Sequence, residues 1–379
     1  MIVALCLTTE KKNARPIELI EKVSAVCYLM TSKKDLKKCH LIEKRLFPSV
    51  ERRIKTRKLT GDNPQYKIEM NIGLIDIDGH NFPNLVLMKL SAWHKLQGDI
   101  VGWYSGIEHY DRVYMSKIFS FSPDDRRIIQ ADEVVKGGSG YKLFDQWLPS
   151  EIEHICPDYS LYPTHTEAYG FLTRGCINKC SFCVVPRKEG TIRKHADISE
   201  FLDDRKSAIL MDNNVIASEW GLQQIEKIAS MKIKVDFNQG IDCRLIARDK
   251  SIAKLLAHVS WIRHLRMAYD SSSITDEVVT AIAYLKEAGV SAHRLFFYML
   301  VKDGQIEDAE KRALLLDSLG CTPFAMSYRD LDKNTPVSDE QHRFAWWCNQ
   351  RQAFKSCKFK DFNPATRGKE ILTQPSLFG

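Results

Sequence analysis

No run of apolar residues in this 379-residue chain approaches the roughly 18 that a helical membrane span requires. The opening MIVALCLTTEKK has no basic leader ahead of its few apolar residues and no small-residue cleavage pattern. Neither a secretory signal nor a membrane partner is expected, and the compartment expected is the cytoplasm. Cysteine is plentiful but does not pair off. Eleven is an odd count, and in a long chain without a signal it argues against a disulfide framework and for reduced thiols, with a metal site in view. Residues 70–150 contain no cysteine at all. Acidic excess is also missing, since the net charge is +7. That charge is local: residues 33–58 carry eleven Lys or Arg against three acids, and the remainder is close to neutral. Such a basic run neutralises nucleic-acid phosphates in some proteins and is a solvated helix face in more of them.

With 44% hydrophobic and 27% charged residues, the composition is that of a folded protein, and the length suits two or three domains. Residues 1–69 read as a small, basic, helical extension ending in the turn-rich TGDNPQYK. At Met70 the texture changes. MNIGLIDID reads as a buried strand, FPNLVLMKLSAWHKLQG as an amphipathic helix stopped by Gly98, and DIVGWY, YDRVYMSKIF and DEVVKGG as further strands. Strands alternating with helices over 70–150 predict a doubly wound parallel sheet. Such sheets bind ligands beyond the carboxyl ends of their strands, where DGHNFP and the Gly137, Gly138, Gly140 cluster fall. The glycines admit either a close backbone approach to a ligand or a tight turn.

From residue 168 a second β/α rhythm begins. YGFLTR, SAILMD, IKVDF, HLRMAY, RLFFYML and PFAMSYR are strand candidates separated by helical patterns, and six units predict a partial barrel over 151–335. Residues 336–379 read as a helical region. In it RFAWWCNQRQAFKSCKF fits an amphipathic helix closing the barrel better than a stacking surface for nucleic acid. Barrel chemistry collects where strands end, which nominates Asp212, Asn213, Asn214, Asp236, Asn238, Gln239, Asp270 and the Tyr328, Arg329, Asp330 group; helix capping is the alternative for each. His94, inside a helical pattern, reads as a partly exposed packing residue.

Cys176, Cys180 and Cys183 follow the first strand of this second region in the spacing C-x3-C-x2-C. Thiolates are soft, charged ligands for zinc or iron-sulfur clusters. Structural zinc normally takes four protein ligands, and no second C-x-x-C pair is evident. Three thiolates suit a four-iron cluster that keeps one iron open. CINKCSFC resembles the signature of the radical S-adenosylmethionine (radical SAM) superfamily. The resemblance implies that Cys176, Cys180 and Cys183 hold a 4Fe-4S cluster, that SAM chelates the open iron, and that Phe182 lines the adenine side. It implies reductive cleavage of SAM to methionine and a 5'-deoxyadenosyl radical that abstracts hydrogen from a substrate not identified by the sequence. It also implies a low cluster potential, near or below about −400 mV, and an electron donor such as a flavodoxin or ferredoxin.

The resemblance extends upstream, because many members carry a Rossmann-like, cobalamin-binding domain before the barrel. VVKGGSGY is similar to its last strand and turn, with Gly137 and Gly138 as cofactor contacts. His80 stands where a cobalt ligand would, but Pro83 occupies the glycine position of Asp-x-His-x-x-Gly, and some domains of this shape bind no cobalamin. Methyl transfer is the expected outcome if cobalamin binds. Methylthiotransferases, another member type, carry three further cysteines in the N-terminal domain, and residues 70–150 have none. Outside the superfamily, the competing expectation is a non-catalytic, metal- or cluster-containing protein that binds nucleic acid through its basic extension.

Overall fold

Four consecutive buried residues, Ile72 to Ile75, lie within β1 (Asn71–Asp76). A strand buried on both faces reads as a continuous apolar run, and β1 lies inside a parallel sheet. A computed structural model describes residues 69–330 and 336–364, nearly all of them in one compact unit that starts at Asn71. The expected basic extension, apart from Glu69, and the last fifteen residues lie outside the described residues.

Helix α1 (Leu85–Gln97) connects β1 to β2 (Ile100–Trp103); Asn84 caps its start by accepting from the Leu87 amide, and Gly98 ends it. With β3 (Tyr110–Ser116) and β4 (Ala131–Gly137) the strands pair in the order β2-β1-β3-β4, all parallel. No helix connects β2 to β3 or β3 to β4, so these crossovers depart from the doubly wound pattern. The first linker, 104–109, is too short for one, and the second, 117–130, has a proline and a charged run in place of helical periodicity. Tyr104 and Tyr110 instead pack with Ile75, Val113 and Met115 in a small core of their own. His94 corrects its expected exposure. Its ring is buried, with Nδ1 2.6 Å from Asp99 and Nε2 3.0 Å from the Tyr114 hydroxyl.

Each of the six later strand candidates forms a strand. Strand β5 (Ala168–Gly170) runs into β6 (Thr173–Arg174), which pairs antiparallel with β7 (Arg193–Lys194). Then β8 (Ser207–Leu210), β9 (Lys234–Phe237) and β10 (Ser260–Trp261) extend a parallel sheet in the order β10-β9-β8-β5. Strands β11 (Leu265–Ala268), β12 (Leu295–Val301) and β13 (Thr322–Ser327) form a second parallel sheet, and a parallel bridge from Ile241 to Met267 links the two. Helices α2 (Glu219–Met231), α3 (Cys243–Arg248), α4 (Lys250–Ala257), α5 (Thr275–Glu287) and α6 (Ile306–Ser318) alternate with these strands. The architecture is α/β with parallel sheets, and one buried apolar cluster runs from Leu85 and Met88 of α1 to Phe362.

Helix α7 (Asp339–Asn349) opens with a capping box between Ser338 and Gln341. Its Trp347 is buried, donating Nε1–H to the Cys357 carbonyl at 3.0 Å, and Trp346 meets Phe362 edge to face. The tryptophans thus serve packing. Among the described residues no helix is long and apolar enough to cross a membrane.

Candidate metal and cofactor site

Between β6 and β7 the chain makes an 18-residue excursion, 175–192, that carries all three clustered cysteines. Its two ends are pinched together. The Cys176 amide donates to the Gly190 carbonyl at 3.2 Å, and the Gly175 amide donates to Glu189 Oε2 at 2.9 Å. Gly175 has φ +81°, and a Cβ there would stand 2.2 Å from the Thr191 carbonyl oxygen, so only glycine fits. Asn213 donates its side-chain amide to the same Glu189 oxygen at 2.9 Å, which ties the loop to the end of β8.

Asp212 anchors the loop from below. It is 2% exposed and accepts from the Leu172 amide at 3.1 Å, the Thr173 amide at 2.5 Å and the Thr173 hydroxyl at 2.6 Å. Burial pushes its carboxyl up to about 6, against the pull of those three donors. With both oxygens engaged by main chain and Thr173, Asp212 positions the loop, where the sequence had nominated it for cofactor contact.

The sulfurs sit among donors. Cys176 Sγ accepts from the Asn178 amide at 3.4 Å, with the Asn214 side-chain amide at 4.0 Å, and Cys183 Sγ accepts from the Val185 amide at 3.5 Å. Cys176 and Cys180 are half-buried and Cys183 is exposed, all three as free thiols. Burial raises the Cys180 and Cys183 thiols, and the Arg244 guanidinium partly offsets this at Cys180. Arg244 is held by Asp242 through Nε at 2.8 Å and Nη2 at 2.7 Å; Asp242 also accepts from Asn178 at 2.9 Å. Phe182, next to the last cysteine, is half-buried with Lys302 Nζ 5.2 Å from its ring centroid. Among the described residues no three His, Cys, Asp or Glu side chains converge on a point that would hold a single metal ion.

The remaining strand-end residues divide. Asp270 is drawn inward, accepting the Leu300 amide at 2.8 Å, and burial raises its carboxyl. Asp236 is buried against Arg266 at 2.6 Å. Gln239 is exposed beyond β9, and Arg329 lies 4.7 Å over the Phe121 ring. Glu189, Asp242 and Arg244 escaped the sequence reading. Glu189 resembles the end of a short helix, and Asp242 looks like an ordinary N-cap, a role it also fills by accepting from the Arg244 amide at 3.1 Å.

At the carboxyl end of the N-terminal sheet the residues do not fit a corrinoid. Asp78 accepts from the Ile118 and Phe119 amides and the Ser122 hydroxyl, which ties it to the 118–122 loop and away from His80. The His80 ring stands edge-on to Trp103 at 4.2 Å and tilts against Tyr162 at 5.8 Å. Gly137 closes β4, and a Cβ on Gly138 would lie 2.2 Å from the Lys117 carbonyl oxygen. The close approach that Gly138 permits is to the protein's own backbone, and the space beside Gly137 is open. A separate cavity of about 500 Å³, lined by Lys234, Val259, Trp261, Val290 and Arg294, lies at the amino ends of β9 and β12 and contains no thiol. No protein-family model matches the chain, and no curated protein matches it.

Proposed function

We propose that the chain is a radical SAM enzyme, with residues 70–150 a Rossmann-like domain, 151–335 a partial (β/α)6 barrel and 336–379 a helical closing region. The observation that carries the reading is the thiol loop. Three free cysteines in C-x3-C-x2-C spacing sit on one excursion, pinned at both ends, that follows β5 and β6 at the start of a run of seven parallel strands in two bridged sheets. Three thiolates would hold a four-iron cluster and leave one iron without a protein ligand. When bound, the cluster supplies the electron that breaks the sulfonium bond of SAM at the iron lacking a protein thiolate.

Cys176, Cys180 and Cys183 would hold the cluster. The Asn178 and Val185 amides donate to sulfur, and such hydrogen bonds are among the levers that set cluster potential. Glu189, Asn213 and Gly175 keep the ends of the loop in register with β8, and Asp242 restrains Arg244 beside Cys180. Phe182 with Lys302 offers a half-buried aromatic rim for the adenine of SAM. A cytoplasmic site and a small reducing partner accord with free, partly exposed thiols.

The test is anaerobic reconstitution of the purified chain with iron and sulfide, followed by chemical reduction in the presence of SAM. Chromatography should detect 5'-deoxyadenosine with the wild-type chain and none with Cys180→Ala. A chain that takes up zinc, takes up no iron and forms no 5'-deoxyadenosine sinks the proposal.

A further inference from the structure

Along β11 and β12, Leu265, Met267, Phe297 and Met299 are wholly buried, while Arg266, Ala268, Phe296 and Leu300 alternate with them on the opposite, inner face. Asp236 joins that face, since Arg266 Nη2 donates to its Oδ2 at 2.6 Å. Arg266 also donates through Nη1 to the Tyr298 hydroxyl, which in turn donates to the Asn238 carbonyl at 3.0 Å. Around this polar knot stand flat rings. Phe296 meets Phe324 and Tyr298, each at 5.4 Å between centroids, and His264 stacks on Phe296 with 27° between planes at the same distance.

The knot is incomplete. Asp236 Oδ1, Arg266 Nε and His264 Nδ1 are buried without a hydrogen-bond partner, and Asp236 is 3% exposed. Buried polar atoms are ordinarily paired, and three such orphans on one face of neighbouring strands form a cluster of unused donors and acceptors. Their surroundings are not sealed, because His264, Arg266, Phe296 and Phe324 all retain partial exposure. Asp236 is the next-to-last residue of β9, one before Phe237.

We infer that this inner face binds a planar nitrogen heterocycle of the nucleobase type, which lies against the Phe296, Tyr298 and Phe324 rings, donates to Asp236 and accepts from Arg266. The inference rests on the radical SAM reading only in naming this heterocycle as part of the substrate. Aromatic rings supply stacking to any base, and a carboxylate beside a guanidinium selects an edge that carries a donor and an acceptor. A purely anionic ligand would leave Asp236 Oδ1 without a donor, and a saturated one would offer the rings no flat face.

The test titrates the purified full-length chain with guanosine, adenosine and uridine by calorimetry, without SAM or reductant. At least one nucleoside should bind more tightly than about 1 mM. Guanosine or uridine ahead of adenosine would identify a cyclic-amide edge, and the reverse order an amino-imine edge. Asp236→Asn should weaken binding about 10- to 100-fold. Phe324→Ala, which leaves the ion pair intact, should weaken it about tenfold, with folding of both variants checked by circular dichroism. Absence of binding by the folded wild type, unchanged affinity in a folded variant, or competitive displacement of the nucleoside by SAM would overturn the inference, the last by assigning the face to the cofactor's own adenine. Because the readout is binding, failure to form 5'-deoxyadenosine would refute the radical chemistry and leave this site standing.

Discussion

Replacing Asp212 by asparagine should remove a specific part of the pH dependence of stability. Burial moves the Asp212 carboxyl from an ordinary 3.8 to about 6, so the folded chain holds its proton more tightly than the unfolded chain does. A group of this kind stabilises fully below the unfolded value, and its contribution is lost as pH rises through the folded value. At about 1.4 kcal/mol per pH unit of displacement, the whole loss is roughly 3 kcal/mol. About 1 kcal/mol of it is already gone at pH 4.5, where the unfolded carboxyl is mostly ionised, so about 2 kcal/mol remains to be lost by pH 7. Urea unfolding of wild type and Asp212→Asn at those two pH values supplies the measurement. The asparagine disturbs the Leu172 and Thr173 hydrogen bonds by an amount that cancels in the difference between the two pH values. Glu153 does not confuse the window. Burial alone would raise its carboxyl, but His195, Lys89 and Arg174 hold it at about 2, so most of its contribution is lost below pH 4.5, and the same loss occurs in both proteins. Equal pH dependence in the two proteins would refute the desolvation of Asp212 and the anchoring argument built on it.

Gly175→Ala forces a side chain into a left-handed backbone, at about 1–2 kcal/mol, and sets its Cβ 2.2 Å from the Thr191 oxygen. The loop ends must part, so the iron retained per chain after anaerobic reconstitution should fall well below wild type; full retention would show that the pinch is dispensable. Arg312 is 2% exposed and donates to the Tyr269 carbonyl at 2.6 Å and the Leu300 carbonyl at 3.0 Å, bracketing Asp270. Arg312→Met leaves two buried carbonyls short of donors and should lower unfolding stability by about 2–4 kcal/mol. A loss under about 0.5 kcal/mol would mean that those carbonyls find other donors.

Much of the β/α order was legible because a strand buried on both faces writes itself as an unbroken apolar run, as in the IGLI of β1, whatever its neighbours are. The helix from Leu85 was equally plain, with Asn84 and Gly98 marking its ends. The helix-free crossovers after β2 and β3 were not, because the flanking strands suggest a β/α rhythm that the intervening segments' own periodicity does not carry. His94 shows a related limit. Its polarity argues for exposure, and its burial depends on Tyr114, twenty residues away, and on Asp99 past the helix end.

The three aspartates at or near the ends of β8, β9 and β11 show why position alone could nominate a site without describing it. Asp212, Asp236 and Asp270 look alike in sequence, each following or closing an apolar strand, and burial raises the carboxyl of all three. Their partners set them apart. Asp212 meets the amides of a strand forty residues earlier and becomes an anchor, and Asp270 takes the Leu300 amide thirty residues later and steadies a neighbouring strand. Asp236 meets a single guanidinium and keeps one oxygen unpaired. Those partners come from 30 to 40 residues away in the chain, brought in by the packing of the strands, and no local pattern encodes such contacts. The cysteine trio, by contrast, is a chemical unit within eight positions, which is why it could be read before any fold was known.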